Sequence, residues 1–275
     1  MPDRPGRPEQ QALTGQTPGD RPATTHDWDR YLAEYHDALP GITEDVLAGA
    51  RDEKDRSPYD WLAEAVPVDA HLVVDLACGS GPLAGVLGHD RVVGVDRSSG
   101  ELIRAAASGG CWLRADALAL PIRGGSADAV ATSMALMLLR PLEAVLGEVS
   151  RVLRPGGVLV ATMPIRARTP GPAEAPAFAE ILKALGQAGT DYPAPLGRAV
   201  ADRFAASGLT LHGDETATFA RTVQHPADAE RVVRSFYSPG AGAARVTAAV
   251  EELQRRVRSA PLEIAYRIRR LAAVR

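Results

Sequence analysis

Cysteine is nearly absent: the 275 residues contain only Cys78 and Cys111. Two thiols without metal-ligand spacing build neither a disulfide framework nor a zinc site, so a reducing, cytoplasmic setting with no bound metal is expected. Excess charge is lacking too, the formal net charge being -3. No Lys/Arg run long enough to follow a phosphate backbone precedes roughly the last thirty residues, which argues against a nucleic-acid partner. The late cluster Arg255, Arg256, Arg258, Arg267, Arg269 and Arg270 reads as the solvated faces of a helix and an edge strand. Residues 1–25 hold Pro, Gly, Asp and Arg but no apolar stretch. They read as a disordered tail, with neither a signal peptide nor a membrane anchor. Aromatics are scarce at 5%, yet Trp28, Tyr31, Tyr35, Tyr59 and Trp61 gather just ahead of the first expected strand.

What is present points to an α/β fold. Trp28, Tyr31, Leu32 and Tyr35 recur at helical spacing before Pro40 and Gly41 break the pattern. Thr43 is placed to cap a second helix, and Ser57 with Pro58 a third, so residues 26–66 are expected to form an N-terminal helical lid. Beyond it, short apolar runs alternate with helical stretches, the pattern of a parallel sheet buried on both faces. Strands are predicted at 72–76, 91–95, 112–115, 129–132 and 158–163, with helices at 82–87, 99–107 and 141–153 between them. Later, helices are expected at 178–185 and 199–207, short strands at 209–213 and 219–223, and helices at 226–236 and 243–258. A last, half-exposed strand at 263–271 reads as antiparallel. The expected architecture is a doubly wound, mostly parallel seven-stranded Rossmann-like sheet over 67–275, with the insertion 166–198 and the helices 226–258 as cap elements.

One segment carries chemistry. Val73-Val74-Asp75-Leu76-Ala77-Cys78-Gly79-Ser80-Gly81-Pro82 joins a buried strand to a helix through small residues, letting backbone approach a ligand closely. Asp96 follows the apolar run Val92-Val93-Gly94-Val95, and the ends of the first two strands are neighbours in such a sheet. Its carboxylate can therefore accept from two ribose hydroxyls. A nicotinamide-binding turn would carry a third glycine. Here Pro82 starts the helix instead and removes an amide that a pyrophosphate would use, which favours a ligand without phosphate.

Val73 to Gly81 resembles the first motif of class I S-adenosylmethionine-dependent methyltransferases, and Gly94-Val95-Asp96 the second. Ala115-Asp116-Ala117 with Leu120-Pro121 resembles the third, and the run from Glu148 to Gly157 the approach to their fifth strand. The resemblance implies S-adenosyl-L-methionine as cofactor, with Asp75, Ala77, Gly79 and Gly81 around its methionine arm and Cys78 in the same cofactor-binding loop. Asp96 would hold the ribose, with Arg97 beside it among the cofactor-binding residues, Asp116 and Ala117 would hold the adenine, and Ser133 would face the reacting centre. At Ala77 the family more often has Gly. No Asn/Asp-Pro-Pro-Tyr element follows the fourth strand, so methylation of base amines is not implied.

Tyr31, Tyr35 and His36 are the candidate catalytic residues, the rings as partners for a sulfonium and His36 as a general base. Tyr192 and Tyr237 are weaker candidates of the same kind. A small organic acceptor is expected, in secondary metabolism, on a monomer or homodimer. Two other readings stay open. The stretch from Tyr35 to Thr43, with Tyr59-Asp60-Trp61-Leu62, is similar to azetidine-2-carboxylate synthases. Those enzymes cyclise the cofactor by attack at its aminobutyrate carbon, and aminocarboxypropyl transfer would use the same carbon. The last reading is a protein that binds the cofactor without turnover.

Overall fold

The computed structural model describes residues 25–165, 176–186, 192–193, 196 and 199–275. All of the tail expected over residues 1–25 except Thr25, which opens the first helix, and most of the 166–198 insertion lie outside the described residues. Three helices come first: α1 (Thr25–Ala38), α2 (Ile42–Ala48) and α3 (Pro58–Ala63). The Ser57 side chain caps α3 in a reciprocal box with Asp60, and Pro58 opens the helix, as the sequence suggested. Thr43 does not cap α2. The cap is Gly41, at φ 76°, a left-handed conformation that glycine adopts at little cost. A side chain there would also collide with the Arg104 guanidinium.

The sheet follows as β1 (Val73–Leu76), α4 (Pro82–Leu87), β2 (Val92–Asp96), α5 (Ser99–Ala106), β3 (Cys111–Arg114) and β4 (Ala127–Ser133). Next come α6 (Leu142–Val152), β5 (Leu153–Pro164), α7 (Pro176–Ala184), α8 (Val200–Ala206), β6 (Thr210–Val223), α9 (Pro226–Arg234), α10 (Ala243–Ser259) and β7 (Leu262–Val274). The seven strands lie in the order β3-β2-β1-β4-β5-β7-β6. The first five are parallel and β7 runs antiparallel to both of its neighbours. The order reverses between β1 and β4, so their carboxyl ends open a crevice.

Alternation along the strands supplies both faces of the core. Val74, Leu76, Val130 and Leu159 pack on one side with Leu146 and Val149 of α6 and Phe204 of α8. Val73, Val92, Ala129 and Val160 pack on the other with Leu62 of α3 and Leu83 of α4. A separate apolar cluster joins Phe219, Ile264 and Ile268 of the β6–β7 end to α2, α9 and α10 through Val46, Val232 and Leu253. Fully burying one such side chain contributes roughly 1.5–3 kcal/mol, and these clusters fix the layers.

Two sequence expectations need correction at this end. The strands expected at 209–213 and 219–223 are one 14-residue strand, β6. The polar stretch between them pairs across to β7: Arg269 holds Asp214 at 2.6 and 2.7 Å, and Arg270 holds Glu215. The last strand is also longer than its half-exposed pattern suggested, because Leu271 and Ala273 are fully buried against β5. The late arginines behave as surface pairs, with Arg256 bound to Glu252 and Arg270 stacked 4.4 Å from the Trp61 ring centroid. Among the described residues, no helix is long and apolar enough to cross a membrane.

Candidate active site

A cavity of about 710 Å³ opens at the crevice between β1 and β4 and runs under α1 and α2. That is the size at which a small ligand can be largely enclosed. Backbone strain marks both strand ends: Ala77, after β1, has φ 55° and Met134, after β4, has φ 56°. Held left-handed conformations of this kind cost on the order of 1 kcal/mol or more and gather at ligand sites. Gly79 (φ 54°) and Gly81 (φ 80°) continue the turn into α4.

The residues expected to hold the cofactor divide into two groups. Ala77, Gly79, Asp96, Arg97, Asp116, Ala117 and Ser133 line the cavity. Asp75, Cys78 and Gly81 stand behind it and shape it. A side chain at Gly81 or Gly94 would strike the Trp112 ring, so both glycines let this indole pack beneath the turn. Cys78 is buried against that packing, with Sγ 3.6 Å from the Gly79 carbonyl.

Asp96 is oriented by its own backbone surroundings. The Gly79 N–H donates to Oδ2 at 2.9 Å and the Ser98 N–H to Oδ1 at 2.8 Å, leaving each oxygen a lone pair for a hydroxyl donor. Asp116 is held by the Leu118 N–H at 2.9 Å. Arg97 reaches back to the Asp29 carbonyl at 3.0 Å, and Ser133 accepts from Thr162 at 3.3 Å. Asp75 is 2% exposed and its Oδ2 has no hydrogen-bond partner. Burial, with the charges of Asp96 and Glu44, pushes its carboxyl up to about 8. An orphaned buried acceptor beneath a glycine cradle fits a ligand that brings donors or positive charge.

The aromatics before residue 66 do not form one cluster. Trp28, Tyr31 and Tyr35 pack in sequence along α1, and Tyr35 meets Tyr237 at 5.0 Å between centroids. Trp61 instead turns to Phe219 at the β6–β7 end. Of the three catalytic candidates, only His36 lines the cavity. The Tyr35 hydroxyl donates to the Arg234 carbonyl at 2.6 Å, and the Tyr31 hydroxyl accepts from the Ser238 N–H at 2.7 Å. These two phenols pin α1 to the end of α9 and the segment after it, and burial raises both above the ordinary tyrosine range.

His36 lies between Glu101, 2.8 Å from Nδ1, and the Tyr237 hydroxyl, 3.0 Å from Nε2. Burial disfavours the imidazolium, but the hydrogen bond and charge of Glu101 outweigh it and raise His36 above its usual value. The other Glu101 oxygen accepts from the Gly41 N–H at 2.8 Å. Tyr237 lines the cavity, and burial holds its phenol well above the usual range.

Glu44 and Glu101 escaped the sequence reading, and Tyr237 was underweighted there. Glu101 stands three residues after Ser98, a spacing that reads locally as a helix-capping pattern. Its carboxylate instead crosses to α1 and to Gly41, and no local pattern encodes that reach. Glu44 shows in sequence only as an acid in the first turn of α2.

The comparisons agree with this geometry. Residues 74–161 match a family model described as a methyltransferase domain. A malonyl-acyl-carrier-protein O-methyltransferase from Hahella chejuensis is 35% identical over 126 residues, 43% of this chain and 44% of that protein. A trans-aconitate 2-methyltransferase from an Azoarcus species is 36% identical over 141 residues, 44% of this chain and 53% of that protein. The matches thus span about half the length of these curated relatives. In fold, the chain superposes on the 4+2 cyclase SpnF with a TM-score of 0.58 at 19% identity, over 89% of this chain and 94% of the other. Residues 74–161 are thus similar to the class I S-adenosylmethionine-dependent methyltransferases, and S-adenosyl-L-methionine is the cofactor that this similarity implies.

Proposed function

We propose that the protein transfers the methyl group of S-adenosylmethionine to a small organic acceptor held under the lid. The observation that carries this reading is the single cavity joining the Gly79, Asp96 and Asp116 end to an apolar chamber bounded by Met134, Met137, Leu138 and Ile268. When bound, the cofactor supplies an activated methyl group on a sulfonium. Asp96 takes the ribose hydroxyls, while Asp116 and the Ala117 amide hold the adenine. The apolar chamber positions the acceptor and excludes water, the main requirements of an in-line displacement. The rings of Tyr59 and Tyr237 in the cavity wall favour positive charge beside them. Where the acceptor keeps a proton, the Tyr237 oxygen receives it while the Tyr237 hydroxyl proton passes to Nε2 of neutral His36, which becomes an imidazolium paired with Glu101. The trans-aconitate named for one relative, and the malonyl group on an acyl-carrier protein named for another, support a carboxylic acceptor.

The test is the identity of the spent nucleotide after incubation with the cofactor and a panel of small acids, phenols and amines. Adenosylhomocysteine is expected. Methylthioadenosine would overturn the proposal in favour of attack at the aminobutyrate carbon, and binding without turnover would leave a cofactor-binding protein. His36→Ala is expected to lower turnover by about 10²-fold or more while adenosylhomocysteine still binds.

A further inference from the structure

The end of the cavity at the glycine turn is acidic. Glu44 projects from the first turn of α2 onto Gly79, where a methyl group would collide with its Oε1. The Thr43 hydroxyl donates to Oε2 at 2.9 Å, which leaves Oε1 as the oxygen facing the turn. Asp75 lies behind the turn with its unpartnered Oδ2, and Asp96 ties the Gly79 N–H from β2. Glu101 of α5 lies close enough for its charge to act on Glu44. Positive charge nearby is already engaged: His36 of α1 is held by Glu101 and Tyr237, and Arg104 of α5 pairs with Asp45 at 2.6 Å. The phenols of Tyr59, Tyr35 and Tyr237 also feel the Glu44 charge, and Ser80 and Ser108 line a hollow beside it.

Carboxylates crowded in this way stay unionised or wait for a cation. Burial, followed by the Glu101 charge, pushes Glu44 up to about 7, while His36 and Thr43 pull it down. S-adenosylmethionine brings two cationic centres, the sulfonium and the α-ammonium of its methionine arm. The family resemblance puts that arm along Ala77 to Gly79, with its amine beside the oxygen that a Gly79 side chain would strike.

We propose that Glu44 receives the α-ammonium of the cofactor's methionine arm, so that α2 closes over the glycine turn as a lid latched by the ligand's own amine. This rests on the cofactor assignment above and adds a contact from outside residues 74–161. The latch couples the floor to the lid directly, because Glu44 belongs to α2 and touches β1's turn. It also predicts that binding releases protons near neutrality, since a carboxyl that titrates at about 7 must ionise to pair with an ammonium.

Calorimetry on the full chain tests it with two nucleosides. Adenosylhomocysteine carries the α-ammonium, whereas methylthioadenosine lacks the whole amino-acid arm. Glu44→Gln is expected to weaken adenosylhomocysteine about ten- to hundredfold, the span of a charge-assisted hydrogen bond, and methylthioadenosine by less than about twofold. Proton release on binding adenosylhomocysteine, read from buffers of different ionisation enthalpy at pH near 7, should fall in the variant. Equal adenosylhomocysteine affinity in both proteins would overturn the latch, as would an equal loss for both nucleosides, the mark of a merely structural role. Failure of the wild-type protein to bind either nucleoside would overturn the cofactor assignment itself, a different failure from that of the latch.

Discussion

The glycine-turn part of the cavity floor comes from one stretch of chain between β1 and the start of α5, whereas the lid is fastened by side chains that meet from 60 to 207 positions apart. On the floor, backbone does most of the work: Gly79 and Ser98 amides aim Asp96, and glycines let Trp112 fill the space beneath. In the lid, Glu101 joins α5 to His36 and Gly41, Tyr35 reaches Arg234, and Tyr31 meets Ser238. A floor built from local backbone keeps its shape when the lid is damaged. A lid built from a few buried polar contacts loses most when one central carboxylate is removed.

Glu101→Ala is accordingly the variant expected to cost most stability. It leaves His36 and the Gly41 N–H without their 2.8 Å partner in a buried setting, and breaking such a pair costs on the order of 3–5 kcal/mol. The loss should depend on pH. His36 is raised in the folded protein, so its pairing stabilises fully below the unfolded value of about 6.5 and fades as pH rises through the folded value. Repulsion between Glu101 and Glu44 acts in the same direction, because Glu44 ionises across that range. Denaturant titrations should therefore show the gap between wild type and variant widest below pH of about 6.5. A gap that widens on going alkaline would show that this pair does not hold the lid.

Asp96→Ala attacks the floor and should separate binding from folding. Two hydroxyl contacts to a carboxylate amount to a loss of about 10²-fold or more in adenosylhomocysteine affinity. The fold should persist, because Asp96 is the last residue of β2 and faces the cavity, not the core. Unchanged affinity in calorimetry would remove Asp96 from the ribose site.

The same contrast explains what could be read from the sequence. Glycine spacing, Pro82 and the acid closing β2 are local, and they located the floor and the parallel sheet. Gly41 as the cap of α2 was hidden because Thr43 is the better-known capping type, while glycine is required by the left-handed φ of 76° and fits beside the Arg104 guanidinium of α5. The unbroken β6 was hidden because Asp214 and Glu215 read as a turn until their arginine partners on β7 are known. Tyr31 and Tyr35 share a helix face and His36 follows at once in sequence, but only the structure shows the two phenols bonded to backbone and the imidazole lining the cavity.

Tyr35→Phe is a milder break in the lid. It leaves the Arg234 carbonyl without its 2.6 Å donor, for a loss of about 0.5–1.5 kcal/mol. Thermal unfolding should register that change while turnover falls less than in His36→Ala. A collapse of turnover at unchanged stability would restore Tyr35 to the chemistry.

The smallest effect should come from the floor and carry the opposite sign. Ala77 holds φ 55° on the cavity wall, where the related family more often has glycine. A left-handed alanine costs roughly 1–2 kcal/mol, and glycine removes that strain. Glycine also frees the unfolded chain, which offsets about 0.4–1 kcal/mol of the gain. Ala77→Gly should thus stabilise the protein by up to about 1 kcal/mol and raise Tm by a few degrees at most. Cofactor affinity should hold, because the neighbouring Gly79 amide remains tied to Asp96 at 2.9 Å. If the substitution instead destabilises the fold, the Ala77 methyl is a packing element of the floor whose contacts outweigh its strain.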